Sequence, residues 1–377
     1  MEQIDPPHHD TPVEPTQSEP TAGDGLSGPK PGAPPPLAPS PSPAPFIFHG
    51  NATEYFRIWI VNTLLSVLTL GIFSAWAKVR KRRYLRGNTE LLGHRFDYTA
   101  DPRRILVGNL IVVVLFLGYA LFGAVYPAIR FLAIGVIVLA LPWIIVRSLA
   151  FNAHHTVWCG LRFRFHPSLS AAVMVFLLKS VLIVVSLGFY YPAWVRDKND
   201  FIISRHRLGT AYFHFTARTS RFYFSYFVTG ILVFAFLVAL AVTMGLLVGH
   251  NGGHAPSPTQ LLPVLAAYAA VLYAAKQLTF ALLFNHIWNG TQLDEHRFRG
   301  RMKTGRWLGL QVTNLAAIIG TCGLLYPWAL IRTTRYVQDC LEFIPAGPLD
   351  SISRLGSTAG SAVGDTAAEF VGFDFGL

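Results

Sequence analysis

The sequence predicts an all-α polytopic membrane protein: four spanning helices, three repeated re-entrant or interfacial helical hairpins, and small β elements on the cytoplasmic face. One observation is composition, since 52% of the 377 residues are hydrophobic and 14% are charged, which is too apolar for a soluble globular protein. The second is a repeat, because the stretches that begin at Phe46, Phe163 and Phe298 align without a gap. A repeated apolar unit that ends in basic and aromatic residues is typical of membrane proteins.

The repeats carry a glycine 25 residues after the first phenylalanine and an aromatic residue 38 residues after it. The glycines are Gly71, Gly188 and Gly323, and the aromatic residues are Tyr84, Phe201 and Tyr336. The middle copy departs from the others at Asp197, where the outer copies have Arg80 and Arg332. We place the repeats at about 46–98, 163–215 and 298–343.

Four segments have the roughly 20 apolar residues that are needed to cross about 30 Å of hydrocarbon. They are Ile105–Tyr126, Phe131–Val146, Phe222–Val248 and Leu261–Phe284. The apolar segments inside the repeats are instead interrupted by a polar residue and then by the glycine. These polar residues are Asn62, Lys179 and Asn314.

The Lys and Arg distribution favours re-entrant repeat segments. If only four helices cross, 25 of these residues fall in loops on one face and one, Arg130, falls on the other. If all seven segments cross, the division is 14 against 12. Short cytoplasmic loops carry an excess of Lys and Arg, so the four-span arrangement is the better prediction. Seven ordinary spans are the alternative.

Alternating aromatic residues predict short strands near the membrane surface. The interval from Phe46 to Phe96 and that from Phe163 to Phe213 are both fifty residues. Threonine starts a similar motif at Thr89, Thr156 and Thr291. Period-two patterns of this composition indicate strands. We expect small strand pairs at the level of the lipid headgroups.

The two ends of the chain differ from the membrane domain at 46–343. Residues 1–45 contain six acidic residues and fourteen prolines, a composition typical of disorder, and they lack the features of a signal peptide. They serve either as a solubilising tail or as a docking segment for a cytoplasmic protein partner. Residues 344–377 form a C-terminal tail. Both termini are predicted to be cytoplasmic, at the bacterial inner membrane.

Two groups of residues are candidates for function. Asn62, Lys179 and Asn314 occupy the same slot in each repeat and, with Lys276, form a candidate polar cluster in the membrane. The alternatives are a substrate site and hydrogen bonds that only hold helices together. Basic residues of the repeats are candidate contacts for anionic lipid headgroups. They are Lys78, Arg80, Arg83, Arg332 and Arg335.

Several of these motifs resemble the YjgN-like family of bacterial inner-membrane proteins. The segments that carry the resemblance are 54–56, 68–80, 158–163, 326–328 and the C-terminal 369–377. It extends from about Phe46 to the end of the chain. The resemblance implies an inner-membrane location and transfers no catalytic residues.

Two classes of function stay open at this level. The first is a carrier or channel for a small solute or a lipid. The second is a non-transporting scaffold that recruits cytoplasmic partners through its tails. No nucleophile, phosphate-binding or zinc motif is present, so we expect no enzyme activity, no metal and no cofactor. Membrane lipids are the expected partners, without nucleic acid, and the oligomeric state is left open.

Overall fold

The computed structural model describes residues 42–346, along which short strands alternate with helices. The strands are β1 (Ala44–Phe48), β2 (Thr89–Leu91), β3 (His94–Tyr98), β4 (Thr156–Trp158), β5 (Leu161–Phe165), β6 (His206–Leu208), β7 (Ala211–Phe215), β8 (Thr291–Leu293), β9 (His296–Gly300) and β10 (Leu341–Ile344). The helices are α1 (Ala52–Leu68), α2 (Ser74–Gly87), α3 (Pro102–Val125), α4 (Pro127–His154), α5 (Leu169–Val173), α6 (Lys179–Val185), α7 (Tyr191–Ile203), α8 (Thr219–His250), α9 (Pro258–Asn289), α10 (Thr304–Gly320) and α11 (Tyr326–Asp339). A π-helical turn at Met174–Leu178 joins α5 to α6.

The ten strands form one closed antiparallel barrel. Each strand pairs with its neighbours along the chain, and β1 pairs with both β2 and β10. Ala44 lies opposite Phe343, so the first and last strands complete the barrel. Closure leaves no unpaired strand edge among these ten strands.

Aromatic side chains fill the interior of the barrel. Each odd-numbered strand contributes one phenylalanine to a belt, and consecutive rings lie 6.2–6.5 Å apart between centroids. The belt consists of Phe46, Phe96, Phe163, Phe213 and Phe298. Facing them across the strand pairs are Leu91, Trp158, Leu208, Leu293 and Phe343. The interior is therefore a packed hydrophobic core.

The barrel shows that the predicted all-α class with small β elements is wrong. The strands are only 3–5 residues long, and whole helical hairpins separate one strand pair from the next, so each strand is a weak sequence signal. Strand pairs were predicted, but their closure depends on β1 meeting β10 from opposite ends of the described chain. A period-two pattern identifies a strand and its inward face without identifying its partner.

Five helical hairpins leave the barrel and return to it. Hairpin 1 is α1–α2, hairpin 2 is α3–α4, hairpin 3 runs from α5 to α7, hairpin 4 is α8–α9 and hairpin 5 is α10–α11. Each helical segment packs against those before and after it, and α11 packs against α1, which closes a ring. Because every hairpin begins and ends at a strand, both of its ends lie on the barrel side.

Hairpins 2 and 4 supply four helices that are long and apolar enough to cross a membrane. These spans are Pro102–Leu121, Phe131–His154, Thr219–His250 and Pro258–Asn289. In hairpin 4, the buried residues of α8 end at Thr229 and those of α9 begin at Ala275. The rest of each helix rises about 25–30 Å at 1.5 Å per residue. This apolar, unburied length matches the hydrocarbon thickness of a bilayer.

Hairpins 1, 3 and 5 are shorter and turn at the glycines of the repeat. Gly71, Gly188 and Gly323 all have φ of +91°, a conformation that favours glycine. The amide of each glycine donates to a carbonyl five residues earlier, as in a Schellman turn. A hydroxyl two residues before each glycine accepts a hydrogen bond from the backbone amide that directly precedes the second helix. These hydroxyls belong to Thr69, Ser186 and Thr321.

The tips of these three hairpins expose large apolar side chains. Leu70 is 95% exposed in hairpin 1, Leu187 is 88% exposed in hairpin 3, and Ile319 is 68% exposed in hairpin 5. Lipid can accept such a turn because its backbone amides are bonded internally. The tips are therefore suited to insertion into hydrocarbon while both helix ends stay at the barrel.

Candidate functional site

Hairpins 1, 3 and 5 each join a polar residue of the first helix to a residue eighteen positions later in the second. The three hydrogen bonds run from Arg80 to Asn62 (3.5 Å), from Lys179 to Asp197 (2.5 Å) and from Arg332 to Asn314 (3.1 Å). Asn62 and Asn314 are buried, so their amides need such partners. Among the described residues, the predicted polar cluster is thus three separate pairs, one in each hairpin.

A cavity of about 530 Å³ opens beside the pair in hairpin 1. Arg57, Arg80 and Arg83 line it together with Ile58 and Val61. Within residues 42–346, none of the three arginines forms an ion pair with a carboxylate. Guanidinium groups beside an apolar wall match the phosphate and the acyl chain of an anionic lipid.

The same cavity is braced from the barrel side. The Arg83 Nε donates to the carbonyl oxygen of Tyr98 at 3.2 Å, which ties α2 to β3. The Tyr84 hydroxyl accepts the Asn51 amide at 2.9 Å and donates to the Glu54 carboxylate at 3.0 Å. Burial raises the pKa of Tyr84 to about 12, so the hydroxyl stays protonated and keeps this role. The arginines therefore lie on a helix pair that is tied to the barrel and to the segment before α1.

Hairpin 5 has a cavity of about 540 Å³ at the equivalent position. Arg332 and Arg335 line it, as Arg80 and Arg83 line the first cavity. Arg332 stacks over Trp328 at 5.1 Å, and Arg335 Nη2 donates to the Gly50 carbonyl oxygen at 2.9 Å. Residues 49–52, which link β1 to α1, form the opposite wall, and Asp339 contributes one carboxylate. Both ends of the described chain thus build this cavity.

The cavity of hairpin 3 has a volume of about 360 Å³ and is lined by two carboxylates as well as by cations. Asp197 and Asp200 replace the arginine pair. The guanidinium of Arg196 lies 3.2 Å from the Asp197 carboxylate and 3.0 Å from that of Asp200. Burial raises the pKa of Asp197, but the hydrogen bonds from Lys179 and Arg196 outweigh it and leave the pKa below its usual range. Both carboxylates of this cavity are therefore paired with cations, and Arg205 is a third cation in its lining.

The remaining predicted residues lie elsewhere. Lys276 is exposed on α9 of hairpin 4, and Lys78 lies on α2; neither lines any of the three cavities. Sequence reasoning missed Arg57, although its helical spacing to Val61 places both on one face of α1. It also missed Asp200, which the repeat register aligns with Arg83 and Arg335.

No group of three or more His, Cys, Asp or Glu side chains that could hold a metal ion lies within residues 42–346. The predicted absence of a metal site stays a prediction for the whole chain. Residues 1–41 and 347–377, which carry most of the two predicted tails, lie outside the described residues.

Apolar spans, lipid-compatible tips and basic cavities beside them define an integral membrane protein that carries a strand barrel at one end of its helices. The family described as "Bacterial protein of unknown function (DUF898)" matches residues 43–370, and the chain belongs to it. The match covers the whole membrane domain.

Curated relatives confirm the YjgN-like resemblance. The chain is 31% identical over 142 residues to Inner membrane protein YjgN of Salmonella typhimurium strain LT2, an alignment that covers 37% of this chain and 36% of the relative. It is 32% identical over 144 residues to the protein of the same name from Escherichia coli K12, covering 38% and 36%. The matched part thus spans little more than a third of these relatives. No solved structure matches the chain. We conclude that it is an integral protein of the bacterial inner membrane.

Proposed function

We propose that the protein binds an anionic lipid through the basic cavities of its re-entrant hairpins and acts as a carrier for that lipid. The observation that supports this most directly is the hairpin-1 cavity, in which three arginines without carboxylate partners, within residues 42–346, adjoin an apolar wall. The cavity lies between a tip suited to hydrocarbon and a barrel with paired strands. A lipid headgroup at the membrane surface would meet it there.

The packed barrel favours lipid over a soluble solute. A channel along the barrel axis would have to displace the phenylalanine belt, whose neighbouring rings are 6.2–6.5 Å apart. A lipid reaches the hairpin cavities from the side and leaves that core intact. We further propose that the barrel and both terminal strands face the cytoplasm, on the basis of the 25 to 1 division of Lys and Arg.

We also propose that the protein is not an enzyme and that membrane lipids are its partners. A scaffold role through the tails concerns mainly residues that lie outside the described range, and the hairpin cavities offer that role no support.

A charge-matched pair of variants tests lipid binding. In Arg80→Gln/Arg83→Gln the cavity loses two cations, whereas Lys78→Gln/Lys81→Gln removes the same charge from the same helix outside the cavity lining. Binding of short-chain phosphatidylglycerol to purified protein is measured by native mass spectrometry. We expect the hairpin-1 cavity of the arginine variant to bind lipid at least tenfold more weakly, so that fewer lipids are bound, and the lysine variant to resemble the parent.

Carrier activity is then measured as the movement of fluorescent phosphatidylglycerol between leaflets of proteoliposomes. We expect the parent and the lysine variant to accelerate this movement and the arginine variant to accelerate it less. Equal weakening of binding in both variants would show that the lipid is held by general attraction to the basic surface and not by the cavity, and it would count against the proposal.

A further inference from the structure

Three cavities recur at one position of the repeat, but their charges differ. In hairpins 1 and 5 the second helix presents an arginine pair followed by a tyrosine, at Arg80, Arg83 and Tyr84, and at Arg332, Arg335 and Tyr336. In hairpin 3 the same positions hold Asp197, Asp200 and Phe201. The first helix changes in step, since Lys179 stands where the others have Asn62 and Asn314. The positive charge that lies on the second helix at these positions in hairpins 1 and 5 thus lies on the first helix in hairpin 3.

Hairpin 3 satisfies these charges internally. The ammonium of Lys179 lies 2.5 Å from Asp197, and Arg196 bridges Asp197 and Asp200. The Ser204 hydroxyl donates to Asp200 at 2.7 Å. Both carboxylates are thus paired, and Arg205, the third cation of the lining, lies over the Phe201 ring at 4.9 Å. An incoming phosphate would have to break these bonds and face both carboxylates.

The backbone of hairpin 3 differs at the same place. The first helices of hairpins 1 and 5 run without interruption for 17 residues, whereas the corresponding segment of hairpin 3 contains the π-helical turn Met174–Leu178 directly before Lys179. A π turn inside an α-helix commonly marks a specialised site. Side chains and backbone therefore both set hairpin 3 apart from its two counterparts.

We infer that each chain has two sites for a phosphate-bearing lipid headgroup, in hairpins 1 and 5, and that hairpin 3 is a copy closed by its own carboxylates. Asp197 and Asp200 determine this difference; Lys179 is the internal partner of Asp197, and Arg196 that of both. The inference rests on the proposed lipid binding and adds to it the number of sites, their locations and the residues that exclude a third.

Counting bound lipids tests the inference on the full chain. Native mass spectrometry with short-chain phosphatidylglycerol should give two tightly bound lipids for the parent protein. Arg80→Gln/Arg83→Gln and Arg332→Gln/Arg335→Gln should each leave one, and the variant that combines all four substitutions should leave none. Competition with inorganic phosphate distinguishes a lipid site from an anion site, because a lipid held also by the apolar wall should stay bound.

A gain of binding provides the sharper test. The variant Lys179→Asn/Asp197→Arg/Asp200→Arg gives hairpin 3 the asparagine and the arginine pair of its counterparts while Arg196 and Arg205 stay in place, and we expect three bound lipids. The exchange variant Lys179→Asp/Asp197→Lys keeps an ion pair and should still give two. Three lipids on the parent, or one on the fourfold glutamine variant, would overturn the inference even if the triple variant failed to fold. A parent that binds none would instead contradict the proposed function, while two on a folded triple variant would contradict only the inference.

Discussion

At the scale of single residues, one bond recurs where a helix passes into the barrel. The side chain that begins each of four even-numbered strands donates to the carbonyl oxygen four residues earlier, at the end of the preceding helix. The donors are Thr89 (2.9 Å), Thr156 (2.7 Å), His206 (2.6 Å) and Thr291 (2.8 Å). The bond gives a partner to a carbonyl in the last turn of the helix, where helical backbone partners run out; the Ile287 carbonyl also accepts the Gly290 amide. It also fixes the angle at which the chain enters the barrel.

His206 makes this position sensitive to pH in one copy only. Burial lowers the pKa of His206, although its bond to the Ile202 carbonyl oxygen acts in the opposite direction. Below about pH 6.5 the unfolded chain therefore binds more protons at this residue than the folded chain. The free energy of unfolding consequently decreases as the pH is lowered. The loss continues down to the lowered pKa of the folded state.

We expect His206→Thr to weaken this pH dependence. The threonine hydroxyl can make the bond that its three counterparts make, and it does not titrate. Thermal unfolding in detergent between pH 5 and pH 7.5 should show a smaller fall in the midpoint temperature for the variant than for the parent. His155, which burial also gives a lowered pKa, remains in both proteins and supplies a common background. Equal falls in the two proteins would refute the assignment.

The threonine motif could be predicted from the sequence because one residue type recurs with the same neighbours. His206 could not, because an imidazole performs the same task with a different chemical group. The same limit applies to the site. Arg80 and Arg83 were predicted to contact headgroups, but the cavity that joins them to Arg57 depends on how α1 and α2 face each other.

At the scale of elements, the turn of each short hairpin was the clearest feature of the sequence. A glycine at a constant spacing indicates a backbone conformation that other residues avoid, and all three turn glycines have φ of +91°. The residue before each also has a positive φ, with Leu70 and Leu187 at 49° and Cys322 at 50°. The turn therefore holds strained residues that the flanking helices must stabilise.

Gly188→Ala should destabilise the protein by about 1–2 kcal/mol, because a β-carbon disfavours this conformation even where nothing crowds it. Gly230→Ala is the matched control, since Gly230 lies inside α8 and open space surrounds the position that a β-carbon would take. Alanine in a helix is favoured over glycine by about 0.5–1 kcal/mol, so the control should be stabilised. Thermal midpoints in detergent that move in the same direction for both variants would contradict this account.

At the scale of the whole molecule, the four spans and the three repeat turns could be predicted, and the barrel could not. The pairing of Ala44 with Phe343 joins residues from the two ends of the described chain. Local patterns such as hydropathy do not encode contacts of that separation. The fifty-residue spacing of Phe46 and Phe96 did indicate two neighbouring members of the belt, whose rings are stacked on each other.

The closed barrel makes a prediction about topology that involves the whole chain. Because every hairpin returns to the same barrel, the turns between the strands of the barrel must all lie in one aqueous compartment. Thr210 lies in the turn after β6 and Glu295 in the turn after β8, and both are exposed. In a cysteine-free background, Thr210→Cys and Glu295→Cys should react with a membrane-impermeant maleimide from the cytoplasmic side and resist it from the periplasm.

The native Cys322 supplies the complementary measurement, because it is exposed at the tip of hairpin 5. If that tip lies in hydrocarbon, Cys322 in a Cys159→Ser/Cys340→Ser background should resist the same reagent from either side of an intact membrane and react after detergent solubilisation. A thiol in lipid is shielded from a charged reagent, and it rarely ionises to the reactive thiolate there. Labelling of Cys322 from the periplasm would mean that hairpin 5 crosses the bilayer. Labelling of Thr210→Cys and Glu295→Cys from opposite sides of the membrane would instead contradict a single closed barrel.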